Sequence, residues 1–105
     1  MLTRIFQARM QAGKEEEALE DLRTLVKAVQ ANEPGVLAYI CHRFQNDPSE
    51  IIFFEIYTDD TAFEAHRQTP HMAVHGASYA DLFDAPKTKI EQLERIEGFV
   101  RPELT

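Results

Sequence analysis

The run Ile51-Ile52-Phe53-Phe54 sets the tightest limit on how this chain can fold. An extended strand sends successive side chains to opposite faces, so a strand with one wet face should alternate apolar and polar residues. Here consecutive side chains are apolar, which asks for burial on both faces. The chain has 105 residues, and one core usually organises roughly 100–200. With so few elements, helices can cover only one face of a small sheet. The other face then needs a second copy of the chain, so a homodimer is expected.

The flanking segments supply the rest of such a sheet. Residues 2–10 read as a strand in which Leu2, Phe6, Ala8 and Met10 alternate with Thr3, Gln7 and Arg9, and Gln11-Ala12-Gly13 ends it. Over 14–32, Ala18, Leu19, Leu22, Leu25, Val26 and Val29 recur every three or four residues, the apolar stripe of an amphipathic helix. Glu15, Glu16 and Glu17 suit its first turn, and Asn32-Glu33-Pro34-Gly35 stops it. Residues 36–45 and 51–58 read as a hairpin, with Gln45-Asn46-Asp47-Pro48-Ser49 predicting a loop longer than two residues. A second helix starts at Asp59-Asp60-Thr61, with Thr61 and Glu64 spaced as a capping box and Ala62, Phe63 and His66 facing inward. Thr69 and Pro70 read as the N-cap and first position of a third helix, with Met72, Gly76, Tyr79 and Phe83 on its buried face.

Residues 87–99 carry conflicting signals. Ile90, Leu93 and Ile96 are spaced by three among good helix formers, yet the sheet still lacks its fourth strand. A bulged strand there completes a ferredoxin-like unit, and that is the reading adopted. The expected fold is α+β: a ferredoxin-like antiparallel four-stranded sheet with helices on one face. It forms one domain over 1–105, with its core at about 3–97 and a short tail, Val100–Thr105, that is either frayed or an arm onto the partner.

Composition narrows the function classes. With 44% apolar and 28% charged residues the chain is globular, and a net charge of −7 argues against nucleic acid as a partner. No stretch approaches the ~20 apolar residues of a membrane span. Met1-Leu2-Thr3-Arg4 does not open a signal peptide, and the lone Cys41 cannot form an internal disulfide, so a cytoplasmic protein is expected. There is no phosphate loop, GxSxG, CxxC pair, EF-hand pattern or Rossmann fingerprint. No cofactor and no metal are expected.

Several residues stand out for chemistry. Glu55 lies within an otherwise apolar strand, where a carboxylate is costly to bury without a partner. By alternation it shares a face with Ile51, Phe53 and Tyr57, and it is read as orienting a histidine or pairing with an arginine at the sheet edge. His66 sits on the inward side of the second helix. A Glu55–His66 pair across the sheet–helix cavity would be a general base, because a carboxylate fixes the imidazole tautomer and raises its basicity. His71 and His75 lie one helical turn apart, a spacing able to hold a metal but without the glutamate of a zincin motif. Tyr39, Cys41 and Arg43 share one face of the second strand. Arg43 either neutralises an oxyanion or pairs with Glu55, and the face of that strand that meets the helices is left open.

Taken in order, Gly13-Lys14-Glu15-Glu16, Asn32-Glu33-Pro34-Gly35-Val36-Leu37-Ala38-Tyr39, Asp47-Pro48, Glu55-Ile56-Tyr57 with Ala62 and His66, and Thr69-Pro70-His71 resemble the antibiotic biosynthesis monooxygenase family. The resemblance spans about residues 3–97, and its order and spacing are specific for the family rather than for one activity within it. It implies a ferredoxin-like fold that dimerises through its sheet into an α+β barrel. Characterised relatives include cofactor-free monooxygenases that oxidise quinols or polycyclic phenols with O2, an isomerase acting on a phosphorylated autoinducer product, and haem-degrading enzymes. Glu55 and His66 match the family's recurrent Glu and His. The haem-degrading branch is a poor match, since it uses a Trp where His66 stands and an Asn on the first strand that has no counterpart here, although His75 falls close to its haem ligand.

The resulting expectation is a cofactor-independent monooxygenase taking a small aromatic quinol or phenol and O2. Catalysis is assigned to His66 and Glu55. Phe53, Phe63, Met72 and Tyr79 would line the pocket, with Tyr39, His71 and His75, and Arg43 or Tyr57 would stabilise the anion. The alternatives are an isomerase or other proton-transfer enzyme using the same pair, and a non-catalytic ligand-binding stress-response module.

Overall fold

The structure, a computed structural model, describes residues 1–102. Its elements are β1 (Leu2–Arg9), α1 (Glu15–Asn32), β2 (Val36–Phe44), β3 (Asp47–Tyr57), α2 (Asp60–Arg67), α3 (Pro70–Leu82) and β4 (Lys89–Leu93). The strands form one antiparallel sheet in the order β2-β3-β1-β4, and the helices lie on one face. This is the ferredoxin-like α+β fold. The conflict over residues 87–99 resolves as a short, regular strand over Lys89–Leu93, without the expected bulge and with residues 94–99 outside it. The free edge of β1 offers a ladder of hydrogen bonds that outweighs local helix propensity.

Strand alternation decides what meets the helices. Ala8, Ile51 and Phe53 point inward against Ala18 and Leu22 of α1 and Leu82 of α3, and Phe6, Tyr39 and Cys41 pack around them. The helix-facing side of β2 is therefore the one carrying Tyr39 and Cys41. On α1 the buried stripe is Ala18, Leu22, Leu25 and Val29, with its flanks half-covered. The core continues past α3, where Phe83 caps the helix and bridges Met10, so both are almost fully buried.

Three local expectations change. The hairpin loop is two residues long, because β3 starts at Asp47 and Phe44 pairs with it. A register shift between Arg43 and Phe44 absorbs the mismatch, and Arg9 Nη1 donates to Asp47 at 3.0 Å and Glu50 at 3.1 Å, drawing the turn-forming residues into the strand. On α2 the cap is Asp59, whose carboxylate accepts from the Ala62 amide at 2.8 Å, so Thr61 lies inside the helix and the capping box does not form. On α3 Gly76 faces solvent, and His75 and Leu82 are buried instead. Thr69 and Pro70 do open that helix, with the Thr69 hydroxyl accepting from the Met72 amide at 3.3 Å.

The far face of the sheet is apolar and open. Ile40 and Leu93 are 49% and 43% exposed there, and Phe54 lies beside them. Beyond β4 the chain carries Ile96, Phe99 and Val100, also exposed. Residues 103–105 of the expected tail lie outside the described residues. Among the described residues no helix is long and apolar enough to cross a membrane.

Gly35 opens β2 under α2. A Cβ added there would stand 2.8 Å from the Ala62 Cβ, closer than two carbons can pack. Gly35→Ala is expected to destabilise the fold by about 1–3 kcal/mol, read as a lower denaturation midpoint with an unchanged slope.

Candidate functional site

A cavity of about 420 Å³ lies between the sheet and the helices. Two rows of cross-strand neighbours make its floor. Tyr39, Glu55 and Arg4 stand side by side on β2, β3 and β1, and Phe53, Phe6 and Ile90 form the next row on β3, β1 and β4. The helices supply the walls: Leu25 from α1, Phe63, His66 and Arg67 from α2, and Met72 and His75 from α3. The lining is mostly apolar with a few convergent polar groups, the usual character of a small-molecule site.

His66 and Glu55 both reach this cavity, and both are almost wholly buried, but they are not each other's partners. The His66 ring bonds Glu33, at the C-cap of α1, with Nδ1 donating to Oε1 at 2.9 Å. The other Glu33 oxygen accepts from His71 Nε2 on α3. A carboxylate accepting from Nδ1 fixes the tautomer of a neutral imidazole, placing its lone pair on Nε2. Glu55 is satisfied elsewhere: the Tyr57 hydroxyl donates to it at 2.7 Å and Arg4 Nε lies 3.3 Å away. That last contact is an ion pair without hydrogen-bond geometry, leaving Arg4 Nε buried and unpartnered. Arg4 also stacks on Phe63, 4.9 Å from the ring centroid.

The other expected site residues divide into cavity lining and support. Tyr39, Phe53, Phe63, Met72 and His75 line the cavity. Tyr57 does not. It is fully buried behind Glu55, its ring 5.4 Å from that of His66. His71 turns away to Glu33, so it holds that carboxylate rather than substrate. Tyr79 stacks on Phe83 with 4.8 Å between centroids, and its hydroxyl is 2.6 Å from Thr88 Oγ1. Arg43 is placed elsewhere altogether. It is exposed, its Nε donating to the Pro48 carbonyl at 2.6 Å, and it neither meets Glu55 nor enters the cavity. Register explains this: Tyr39 is the residue opposite Glu55, while Arg43 pairs with Ile51, four residues nearer the hairpin end of β3. His75 Nδ1 bonds Asp21 Oδ2 at 2.6 Å, so the two α3 histidines serve different carboxylates. Among the described residues no three His, Cys, Asp or Glu side chains converge on a point able to hold a metal.

Burial governs the ionisation of the aromatic hydroxyls. It pushes Tyr57 far above the ordinary tyrosine value, with the Glu55 charge and hydrogen bond adding to it. Tyr39 is raised in the same way, by burial first and then by Glu55 and Glu33. Burial also pushes the Cys41 thiol up to about 11. None of these three is an acid near neutral pH.

The sequence profile of antibiotic biosynthesis monooxygenases matches residues 1–77, nearly three quarters of the chain. The chain belongs to the antibiotic biosynthesis monooxygenase family. Solved structures agree. PA3566 from Pseudomonas aeruginosa is 30% identical, with a TM-score of 0.83 over 91% of this chain and 94% of that one. An antibiotic biosynthesis monooxygenase shares 24% identity and a TM-score of 0.82, over 92% of this chain and 100% of its own. Rv0793 from Mycobacterium tuberculosis has the same fold at 18% identity, with a TM-score of 0.82 over 92% and 96% of the two chains. No curated protein sequence matches the chain.

Sequence reasoning passed over Glu33, Arg4 and Asp21. Glu33 sits in Asn32-Glu33-Pro34-Gly35, which reads simply as a helix stop. The other two carried a usable signal. Arg4 interrupts the apolar face of β1 just as Glu55 interrupts that of β3, and the two are direct cross-strand neighbours. Asp21 lies three residues after Ala18 and four before Leu25, inside the buried stripe of α1. Removing the Arg4 charge strands a buried carboxylate. Arg4→Met is expected to cost about 3 kcal/mol, measured by denaturant unfolding.

Proposed function

We propose that this family member is a cofactor-independent monooxygenase of phenolic or quinol aromatics, working as a homodimer through the open face of its sheet. One observation carries the reading: a histidine held by a buried carboxylate stands in the wall of an apolar cavity that also contains an arginine. The reaction is that of a phenol bearing hydrogen on the ring carbon para to its hydroxyl. Phenol and O2 give quinone and water, with one oxygen atom entering the ring.

His66 Nε2 takes the phenolic proton. An ordinary phenol near pKa 10 meeting an ordinary imidazole near 6.5 faces about 5 kcal/mol of unfavourable transfer. Burial adds to that, as the raised values of Tyr39 and Tyr57 attest. Two charges offset it. Glu33 supplies the counter-charge for the imidazolium, and the Arg4 guanidinium stands where it can face the phenolate. Arg4 thus takes the anion-stabilising part for which Arg43 lies too far away. The electron-rich phenolate then gives an electron directly to O2. Glu55, tied to Arg4 and Tyr57, orients Arg4 rather than His66. The dimer reading is supported by the exposed Ile40, Phe54 and Leu93 on the far face, since such a patch normally marks an interface.

Purified, metal-free protein is expected to consume O2 with a dihydroxynaphthalene panel and to form quinone in step. His66→Ala should lower kcat about 10²–10⁴-fold, and Glu33→Gln should lower it by a smaller factor. Conversion of the same substrates without O2 would favour a proton-transfer enzyme, and no O2 uptake across the panel would overturn the reading.

Phe54→Lys is expected to sediment as a monomer where the wild type sediments as a dimer. A monomeric wild type would remove the dimer from the proposal.

A further inference from the structure

His66 is not the only histidine of the cavity held by a carboxylate. His75 lines the same space from α3, and its Nδ1 meets Asp21 Oδ2 of α1 at 2.6 Å. The two side chains are only 10% and 16% exposed. Tyr79 and Phe83 pack edge-on against the imidazole, at 5.5 and 6.1 Å between centroids, so the ring is fixed as well as paired. Nε2 has no protein partner among the described residues. Cavity water, substrate or O2 is what it can meet.

We propose that Asp21–His75 is a second acid–base dyad, dedicated to the peroxide half of the reaction, with His75 as a catalytic residue and Asp21 as its positioning residue. This rests on the oxygenase reading above and assigns the step that reading leaves unserved. Once His66 has taken the phenolic proton, the phenolate passes one electron to O2, and the resulting phenoxyl radical and superoxide join at the para carbon. That carbon now holds its original hydrogen and a peroxide anion. His75, an imidazolium with Asp21 as counter-ion, protonates the outer peroxide oxygen and becomes neutral. Its Nε2 then takes the hydrogen from the same carbon as a proton. The C–H electron pair forms the new carbonyl, the O–O bond breaks, and the departing hydroxide takes the proton stored on His66 and leaves as water. Both histidines return to their starting states. The sum is phenol plus O2 to quinone plus water, with no outside reductant. With two bases, the phenolic proton stays on His66 until hydroxide leaves, while His75 works at the peroxide and the ring hydrogen.

The test compares O2 consumed, quinone formed and peroxide present for wild type, His75→Gln and Asp21→Asn, using a dihydroxynaphthalene with hydrogen para to one hydroxyl. Folding of each variant is checked by its thermal transition. The wild type should form one quinone per O2 with no peroxide. His75→Gln should lose quinone formation about 10²-fold while O2 uptake falls far less, and peroxide should accumulate. Asp21→Asn should shift the same ratio in the same direction by a smaller factor, which loss of stability alone would not do. Variants that keep one quinone per O2 at the wild-type rate would overturn the second dyad and leave the oxygenase reading standing. So would variants that lose O2 uptake and quinone by equal factors. A wild type inert to O2 would overturn both.

Discussion

Glu33 is the residue on which the arrangement of the site depends. Its carboxylate caps nothing in the usual sense, although it stands at the end of α1. It reaches across to α2 and α3 and takes an imidazole N–H from each, His66 on one oxygen and His71 on the other. A buried carboxylate is tolerated only when its lone pairs are filled, so the demand runs both ways. The charge needs both rings, and the rings are aimed because the charge is there. Gly35, two residues on, lets the backbone close against Ala62 and so brings the helices within reach.

The floor of the cavity obeys the same logic with different groups. Tyr39, Glu55 and Arg4 form a cross-strand row, and Tyr57 meets Glu55 from behind. The negative charge at the centre of that row is neutralised from one side and hydrogen-bonded from the other. Phe63 lies over the guanidinium, which restricts its movement while leaving the cation at the cavity surface. Aromatic rings thus set the positions of the charged groups at three points: Phe63 over Arg4, Tyr57 against His66, and Tyr79 against His75.

Most of the fold was legible in the residues because period-two and period-3.6 patterns are local. The stripe of α1, the alternation in β1 and the Thr69-Pro70 start of α3 needed no partner to be read. The last strand was legible only through topology, since Ile90, Leu93 and Ile96 by themselves resemble a helix face. The site was half legible. Glu55 and His66 stood out as polar residues on apolar faces, and both do enter the cavity. Their pairing was misjudged because partner choice is a question of three-dimensional reach. Arg4 lay closer to Glu55 than any histidine did, and Glu33 came to His66 from a segment whose composition signals only a turn. Arg43 shows the complementary limit. Alternation puts it on the helix-facing side with Tyr39 and Cys41, but only the register, which pairs it with Ile51 and not with Glu55, shows that it lies too far along the strand.

The sheet order has a consequence for how the molecule is made. β1 lies between β3 and β4, and Thr3 pairs with Leu93. The opening strand therefore waits for nearly the whole chain before its second edge is filled. Contacts that span so much sequence are slow to form, and during synthesis that edge remains open to any extended peptide nearby. For a nascent chain of this type, the hazard lies in the interval before β4 emerges. The charged residues Lys89 and Glu91 make the strand that ends this interval a poor template for further pairing.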